Sequence, residues 1–134
     1  PIEVNFRFNP SLQLFTDTFR LKIIIGNLIA NALKFQDCTK SILVVNISCQ
    51  EKKGSYLLSI EDNGIGIETE YLDRIFDIFF RASEVSSGSG MGLYLVRDAV
   101  EKLNGQIWVD SRVGAWTRFD IMIPKEKKPA GVSV

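Results

Sequence analysis

Three polar side chains share one face of a predicted helix. Asn27, Asn31 and Lys34 are spaced four and then three residues apart, which places them within roughly 60° of one another around a helix axis. Amide oxygens can bind a hard cation such as Mg²⁺, and a lysine ammonium can pair with phosphate. Taken alone, the three residues fit a solvated polar face better than a binding site, so the interpretation depends on the rest of the chain.

A glycine-rich segment, residues 61–67 (EDNGIGI), follows a predicted strand. Its Asn-Gly pair is typical of a hairpin tip, but the chain beyond it has helical spacing and not that of a returning strand. Gly64 and Gly66 allow backbone to approach a ligand closely. Asp62, at the end of the strand, can accept a hydrogen bond from an exocyclic amine. Two apolar residues would form the walls of this site: Ile65 and Ile67.

A second glycine-rich segment opens a predicted helix, and its residues are Gly88, Ser89, Gly90, Met91, Gly92 and Leu93. Backbone amides at a helix N-terminus attract anions when side chains do not cover them. The segment lacks the Gly-Lys-Ser/Thr of a Walker A loop, and it does not match the dinucleotide fingerprint either. A flexible linker would explain the glycines by themselves, whereas a phosphate site would also use Arg81, just upstream.

Composition excludes several classes of site. The chain has no histidine, which removes Ser-His-Asp and Cys-His catalysis and His-ligated zinc. Its 16 basic and 16 acidic side chains cancel, so we expect no nucleic-acid surface. Cys38 and Cys49 lack metal-site spacing and predict two reduced thiols, although one disulfide between them stays open. The longest aliphatic run, residues 23–25, is far too short to span a membrane.

Hydrophobic periodicity places these segments on a single α/β domain. Strands are predicted over residues 4–8, 12–15, 42–49, 56–60, 106–111 and 117–123, and helices over 18–35, 68–75 and 92–103. Asp17 is the predicted N-cap of the first helix, whose apolar stripe is Leu21, Ile25, Leu28, Ile29 and Ala32. The Asn-Gly pair at 104–105 is the predicted stop of the last helix, and the strand pairs 42–49/56–60 and 106–111/117–123 are predicted hairpins. Residues 82–90 are expected to be flexible, and a disordered tail is expected over 125–134 after a domain spanning 1–124. The aromatic residues Phe76, Phe79, Phe80, Trp108 and Trp116 are expected in the core.

Taken together, five segments resemble the sequence boxes of histidine kinases. Residues 27–35 (NLIANALKF) resemble the N box, 62–67 (DNGIGI) the G1 box, 75–81 (IFDIFFR) the F box, 88–93 (GSGMGL) the G2 box and 111–119 (SRVGAWTRF) the G3 segment. These boxes occur in order and cover most of residues 17–124. The resemblance implies an ATP-binding catalytic domain of the GHKL superfamily. It also implies the Bergerat fold, a two-layer sandwich with helices on one face of a mixed, mostly antiparallel sheet.

The resemblance also implies a role for each matching residue. Asn31, with Asn27, would hold Mg²⁺ against the triphosphate of ATP, and Lys34 and Arg81 would contact phosphate. Asp62 would bind the adenine amino group beside Phe35, with Thr117 in support. The glycines of the G1 box would let the nucleotide approach. Gly88, Gly90 and Gly92 would border a mobile lid.

One position separates the branches of the superfamily, and two features depart from the histidine-kinase pattern. Asn27 stands where the ATPase and serine-kinase branches usually carry a glutamate that serves as general base, and an amide cannot take a proton at neutral pH. A histidine acceptor needs no such base, so Asn27 favours a histidine kinase. Trp116 replaces a usual glycine near the adenine end, and the lid lacks basic residues, which puts lid contacts to phosphate in question.

The implied function is transfer of the γ-phosphate of ATP to a histidine on a dimerisation domain outside this chain. A response regulator would act downstream. The chain itself would be monomeric and cytoplasmic, within a protein whose other parts could be membrane-anchored. Two alternatives stay open: a degenerate domain that acts as an interaction module, which Trp116 alone supports, and a GHKL ATPase, which Asn27 opposes.

Overall fold

The computed structural model describes residues 1–78, 80 and 91–126. Within them, strands and α-helices follow in the order β1 (Ile2–Arg7), α1 (Thr18–Lys34), β2 (Leu43–Lys52), β3 (Ser55–Asp62), α2 (Gly92–Lys102), β4 (Gln106–Arg112) and β5 (Trp116–Pro124). A 3₁₀ turn, Thr69–Tyr71, lies between β3 and α2. Neither α1 nor α2 is both long and apolar enough to cross a membrane.

The strands form one mixed sheet in the spatial order β1-β2-β3-β5-β4. Only the β1–β2 pair among the described strands is parallel. Alternate residues of β2, β3 and β5 are buried on the face that carries the helices, because successive side chains of a strand point to opposite faces. The predicted two-layer α/β sandwich is confirmed. Both cysteines are free thiols, as predicted: Cys49 is buried in the core and Cys38 is exposed.

Helix α1 begins where the sequence predicts. The Asp17 carboxylate accepts hydrogen bonds from the backbone amides of Phe19 and Arg20, and so caps the helix. The helix ends at Lys34, one residue earlier than predicted. Its buried residues are Ile24, Leu28 and Ala32, so the stripe is centred on Leu28 and includes Ile24, which the predicted stripe lacked. This leaves the Asn-rich side of α1 directed away from the centre of the core.

The predicted strand over residues 12–15 is wrong. The backbone there finds its partners in a side chain instead of a neighbouring strand: the buried Tyr56 hydroxyl donates to the Gln13 carbonyl (3.0 Å) and accepts from the Phe15 amide (3.2 Å). The tyrosine hydroxyl thus supplies the donor and the acceptor that the backbone of a neighbouring β-strand would otherwise supply.

The predicted helix over residues 68–75 is also wrong in type. One 3₁₀ turn forms and successive i+3 hydrogen bonds follow, including Arg74 N–H to the Tyr71 carbonyl and Asp77 N–H to the Arg74 carbonyl. Helix α2, by contrast, ends at Lys102 and is stopped by the predicted Asn-Gly pair. Asn104 has a φ of 59°, and the Gly105 amide bonds to the Val100 carbonyl, the pattern of a Schellman motif.

The aromatic predictions divide by position. Phe76 packs edge-on against the buried Phe119, with ring centres 6.2 Å apart, and Phe80 is also packed on the core. Trp116 is half-buried with the Arg118 guanidinium over its ring. Trp108 is 50% exposed, because it lies on the sheet face that no described helix covers, so its predicted core position is wrong. Phe79 lies outside the described residues.

Two residues beyond the predicted end of the domain are hydrogen-bonded to it. The amides of Lys125 and Glu126 bond to the carbonyls of Gly54 and Phe15. These two residues are therefore held against the domain, whereas residues 127–134 lie outside the described ranges.

Substituting Gly26 with alanine should stabilise the domain. Gly26 lies in the middle of α1 with an exposed surface, and a Cβ there would meet no atom within 4 Å. Alanine should therefore raise the free energy of unfolding by about 0.5–1 kcal/mol through its higher helix propensity. Gly105→Ala is the contrasting variant, because its Cβ would lie 2.3 Å from the Met122 carbonyl oxygen. Urea unfolding of both variants tests this; a destabilised Gly26→Ala would contradict it.

Candidate functional site

The polar face of α1 meets the start of α2 at Asn27. The Asn27 side-chain NH₂ donates to the Ile23 carbonyl at 2.7 Å. A carbonyl accepts only from N–H or O–H, so the amide oxygen of Asn27 must face the other way. That oxygen lies 3.4 Å from the position a Cβ on Gly92 would take. The predicted N box and G2 box are therefore adjacent in space.

Asn31 and Lys34 occupy the next two turns of the same face. The Asn31 side chain is half-buried and makes no hydrogen bond to any residue of the described ranges, so both its donor and its acceptor are available. Lys34 is exposed, with its ammonium 5.2 Å from the centre of the Phe35 ring. This places a cation and a free amide beside an aromatic ring.

The N-terminus of α2 lacks a side-chain cap. Met91 precedes Gly92 at the cap position, no side chain of the described residues bonds to the first amides, and the first turn holds no acidic residue. Unpaired amides and the positive end of the helix dipole make such a terminus a site for an anion. Leu93 turns inward and packs on the core. The other predicted residues of this end, Arg81, Gly88, Ser89 and Gly90, lie outside the described residues.

Asp62 is a buried carboxylate at the end of β3. It is only 7% exposed, and one of its oxygens accepts the Gly64 amide at 2.8 Å. Its second oxygen has no hydrogen-bond partner among the described residues. Burial raises the pKa of Asp62 to about 6, against the lowering effect of the Gly64 hydrogen bond; Glu61 raises it further and Lys40 lowers it. A largely desolvated acceptor with one free oxygen is suited to a ligand that brings a hydrogen-bond donor.

The two glycines after Asp62 are required by the chain itself. A Cβ on Gly64 would lie 2.5 Å from the Phe35 carbonyl oxygen, and one on Gly66 would lie 2.5 Å from the Arg112 carbonyl oxygen. Gly66 also has a φ of 78°. Their missing side chains make room for neighbouring loops, and their predicted role of letting a ligand approach stays a prediction. Of the two predicted walls, Ile67 packs on the core and Ile65 is 44% exposed.

A chain of hydroxyls joins the glycine-rich loop to β5. The Ser111 hydroxyl accepts from the Ile67 amide (2.8 Å), donates to the Trp116 carbonyl (2.9 Å) and lies 3.0 Å from the hydroxyl of the buried Thr117. Because its proton goes to Trp116, the Thr117 hydroxyl donates to Ser111 and keeps its lone pairs free. Thr117 is paired with Asp62 in the sheet, so both polar groups lie on one buried face.

Two residues of this region were not among the predicted site residues. Ser111 lies within the segment that resembles the G3 box, but a serine in a strand carries no signal for its contacts. Lys40 lies in a polar turn after α1, and its ammonium donates to the carbonyls of Asn63 and Ala115. Such contacts join segments far apart in the chain, and periodicity gives no information about them.

The side chains of α1 that could hold a divalent cation are the amides of Asn27 and Asn31. Within the described ranges, no three carboxylate or thiol side chains come together as metal ligands. The free oxygens of Asn27 and Asn31 fit a Mg²⁺ ion that takes its remaining ligands from phosphate and water, which is the usual coordination of nucleotide-bound magnesium.

The family model that matches this chain describes a histidine kinase-, DNA gyrase B-, and HSP90-like ATPase, and it covers residues 16–127. A probable C4-dicarboxylate sensor kinase of Bacillus subtilis is 35% identical over 96% of the chain, and cyanobacterial phytochrome A of Nostoc sp. is 34% identical over 90%. The chain spans 25% and 16% of the length of these two relatives.

Solved structures agree with these relatives. The mycobacterial sensor histidine kinase MprB superimposes with a TM-score of 0.78 at 28% identity, over 95% of this chain and 84% of that one. The catalytic domain of histidine kinase ThkA gives a TM-score of 0.77 at 28% identity, over 92% of this chain and 79% of that one.

Asp62→Asn should become relatively more stable as the pH rises. The folded pKa of Asp62 lies above its ordinary value of 3.8, so the wild-type domain loses stability as pH rises from about 4 to 6 and the buried carboxyl ionises. From the two pKa values this loss is at most about 3 kcal/mol. Asparagine keeps the acceptor for Gly64 and does not ionise.

Urea unfolding of both proteins at pH 4.5 and pH 8 measures this effect. The stability of Asp62→Asn relative to wild type should improve by about 1–2 kcal/mol between the two pH values. Asp98→Asn, an exposed carboxylate paired with Lys102, is the control and should show little change. If the difference in free energy of unfolding between Asp62→Asn and wild type does not change with pH, the raised pKa of Asp62 is contradicted.

Proposed function

The chain belongs to the family of histidine kinase-, DNA gyrase B- and HSP90-like ATPases, and we propose that it is the catalytic domain of a sensor histidine kinase, binding Mg·ATP and supplying its γ-phosphate. The observation that carries the proposal is Asp62: a buried carboxylate with one oxygen bonded to the Gly64 amide and the other without a partner among the described residues. Because the chain spans a quarter or less of these relatives, the complete activity needs parts outside it.

The nucleobase would bind at the Asp62 end. The free carboxylate oxygen accepts the amino group of adenine, whereas guanine presents a carbonyl at that position and would be repelled. Thr117, with free lone pairs, supports the same edge of the base, directly or through water. Phe35, Ile65 and Ile67 supply apolar surface around the ring. Selectivity for ATP over GTP follows from this donor–acceptor match.

The triphosphate would bind between the two helices. The free amides at Met91, Gly92 and Leu93 face its negative charge, and Lys34 adds a cation from α1. Asn31, with Asn27, would hold Mg²⁺, which neutralises charge on the phosphates when it is bound. We also assign to the triphosphate end four residues that lie outside the described ranges: Arg81, Gly88, Ser89 and Gly90.

The acceptor chemistry points to histidine. Transfer breaks the bond between the γ-phosphorus and its bridging oxygen, releases ADP and forms a P–N bond to the lone-pair nitrogen of a neutral imidazole; the proton on the other ring nitrogen then passes to water. No base is therefore needed, and the amide of Asn27 could not serve as one. The chain contains no histidine, so the acceptor belongs to a dimerisation domain outside it, with a response regulator as the subsequent partner. We place the reaction in the cytoplasm, where ATP is available.

A GHKL ATPase is disfavoured because Asn27 lacks a basic oxygen for activating water. A degenerate interaction module is disfavoured because burying the Asp62 carboxylate with one unpaired oxygen costs free energy, and a domain that binds no nucleotide would gain nothing from it. Trp116, the departure that supports the module, is half-buried under Arg118, so its ring is engaged with the sheet.

Isothermal titration should show Mg²⁺-dependent ATP binding that collapses in Asp62→Asn. Asparagine offers the adenine amino group one neutral acceptor in place of a charged one, so affinity should fall about tenfold or more. Asn31→Ala should remove most of the Mg²⁺ dependence, because it deletes the free amide. Asp98→Asn should bind like wild type. Wild-type protein without binding at millimolar ATP would contradict the proposal and favour the interaction module.

Incubation with γ-labelled ATP should leave the isolated chain unlabelled and release almost no phosphate. When a dimerisation domain carrying the acceptor histidine is added, acid-labile label should appear on that domain. Acid-labile label on this chain itself, or steady phosphate release that is lost in Asn31→Ala, would contradict the histidine-kinase assignment.

A further inference from the structure

Lys40 joins two loops at the nucleobase end of the site. Its ammonium donates to the Asn63 carbonyl at 2.7 Å and to the Ala115 carbonyl at 3.1 Å. Asn63 follows Asp62 directly, and Ala115 precedes Trp116 at the tip of the β4–β5 hairpin. One side chain from the turn after α1 therefore holds together the loop after β3 and the hairpin tip.

Asn63, one of the two residues whose carbonyls accept from Lys40, is itself held by two side-chain hydrogen bonds. The Asn63 side chain accepts from the Val44 amide (2.8 Å) and donates to the Ile42 carbonyl (3.0 Å), which fixes this residue to the edge of β2. The hairpin tip is tied to the same loop by the Gly114 amide, which donates to the Ile65 carbonyl. Among the described residues Lys40 supplies the charged connection between the two loops.

The Lys40 ammonium is also part of the electrostatics of Asp62. Its side chain is 29% exposed, and its nearest carboxylate, Asp37, is 3.9 Å away. Two charged side chains influence the buried carboxyl: Glu61 opposes ionisation and Lys40 favours it. A partly buried ammonium interacts more strongly with such a group than a solvated one, because water screens it less.

We propose that Lys40 is a positioning residue for nucleobase recognition, holding the loop after Asp62 against the tip of the β4–β5 hairpin. The inference rests on the proposed ATP-binding function. It assigns to Lys40 a share of the discrimination between adenine and guanine, although the lysine itself need not touch the nucleotide.

The test is the ratio of ATP to GTP affinity, measured by isothermal titration on the whole chain with Mg²⁺. Lys40→Met removes the two donated hydrogen bonds and the charge, so we expect ATP affinity to fall about tenfold while the weak GTP affinity stays almost unchanged. Lys40→Arg keeps the charge and the donors and should restore most of the ratio. General loosening of the domain would instead lower both affinities together.

Lys125→Met is the matched control. The Lys125 ammonium pairs with Glu51 at 2.9 Å and lies over the Tyr56 ring, at the other end of the sheet. Lys125→Met should therefore lose its ion pair with Glu51 without altering the ratio of ATP to GTP affinity. If wild type prefers ATP over GTP and Lys40→Met keeps the same preference, the role of Lys40 is refuted while ATP binding stands. The same conclusion follows if Lys40→Met loses the preference for ATP and Lys40→Arg does not restore it. If wild type binds neither nucleotide, the proposed function itself fails.

Discussion

The buried carboxylate of Asp62 is the constraint on which the rest of the site depends. A carboxylate at the end of a central strand, with one oxygen bonded to the Gly64 amide and the other unpaired, costs folding free energy at neutral pH. The surrounding loops are bonded to one another so that the strand end keeps its shape without a partner for that oxygen. A buried carboxylate with a raised pKa and one unpaired oxygen is typical of a site that binds a ligand.

The two-layer architecture places both ends of the proposed site along helix α1. Asp62 ends β3 in the middle of the sheet, and α1 crosses the helix layer with its amide-rich side close to the start of α2. The turn after α1 returns to the sheet, where the Phe35 carbonyl accepts the Ile65 amide. One long helix therefore connects the proposed triphosphate end, at the start of α2, to the loop after Asp62 at the proposed nucleobase end.

Sequence reasoning predicted what periodicity and local caps control. The Asp17 cap, the Asn-Gly stop of α2 and both hairpins are local features, and the structure has them. The errors arise from tertiary contacts: the Tyr56 hydroxyl replaces a ladder at residues 12–15, and the open sheet face leaves Trp108 in solvent. The connections made by Lys40 and Ser111 join segments tens of residues apart, so spacing within a segment cannot indicate them.

The most direct test of the account is a ¹³C NMR titration of the Asp62 side-chain carboxyl, with and without saturating Mg·ATP. The account predicts a pKa of about 6 in the free chain. ATP should lower it, because an amino group donated to the free oxygen stabilises the ionised form. An Asp62 pKa near its ordinary value in the free chain, or one that ATP leaves unchanged, would contradict the assignment of Asp62 as the nucleobase acceptor.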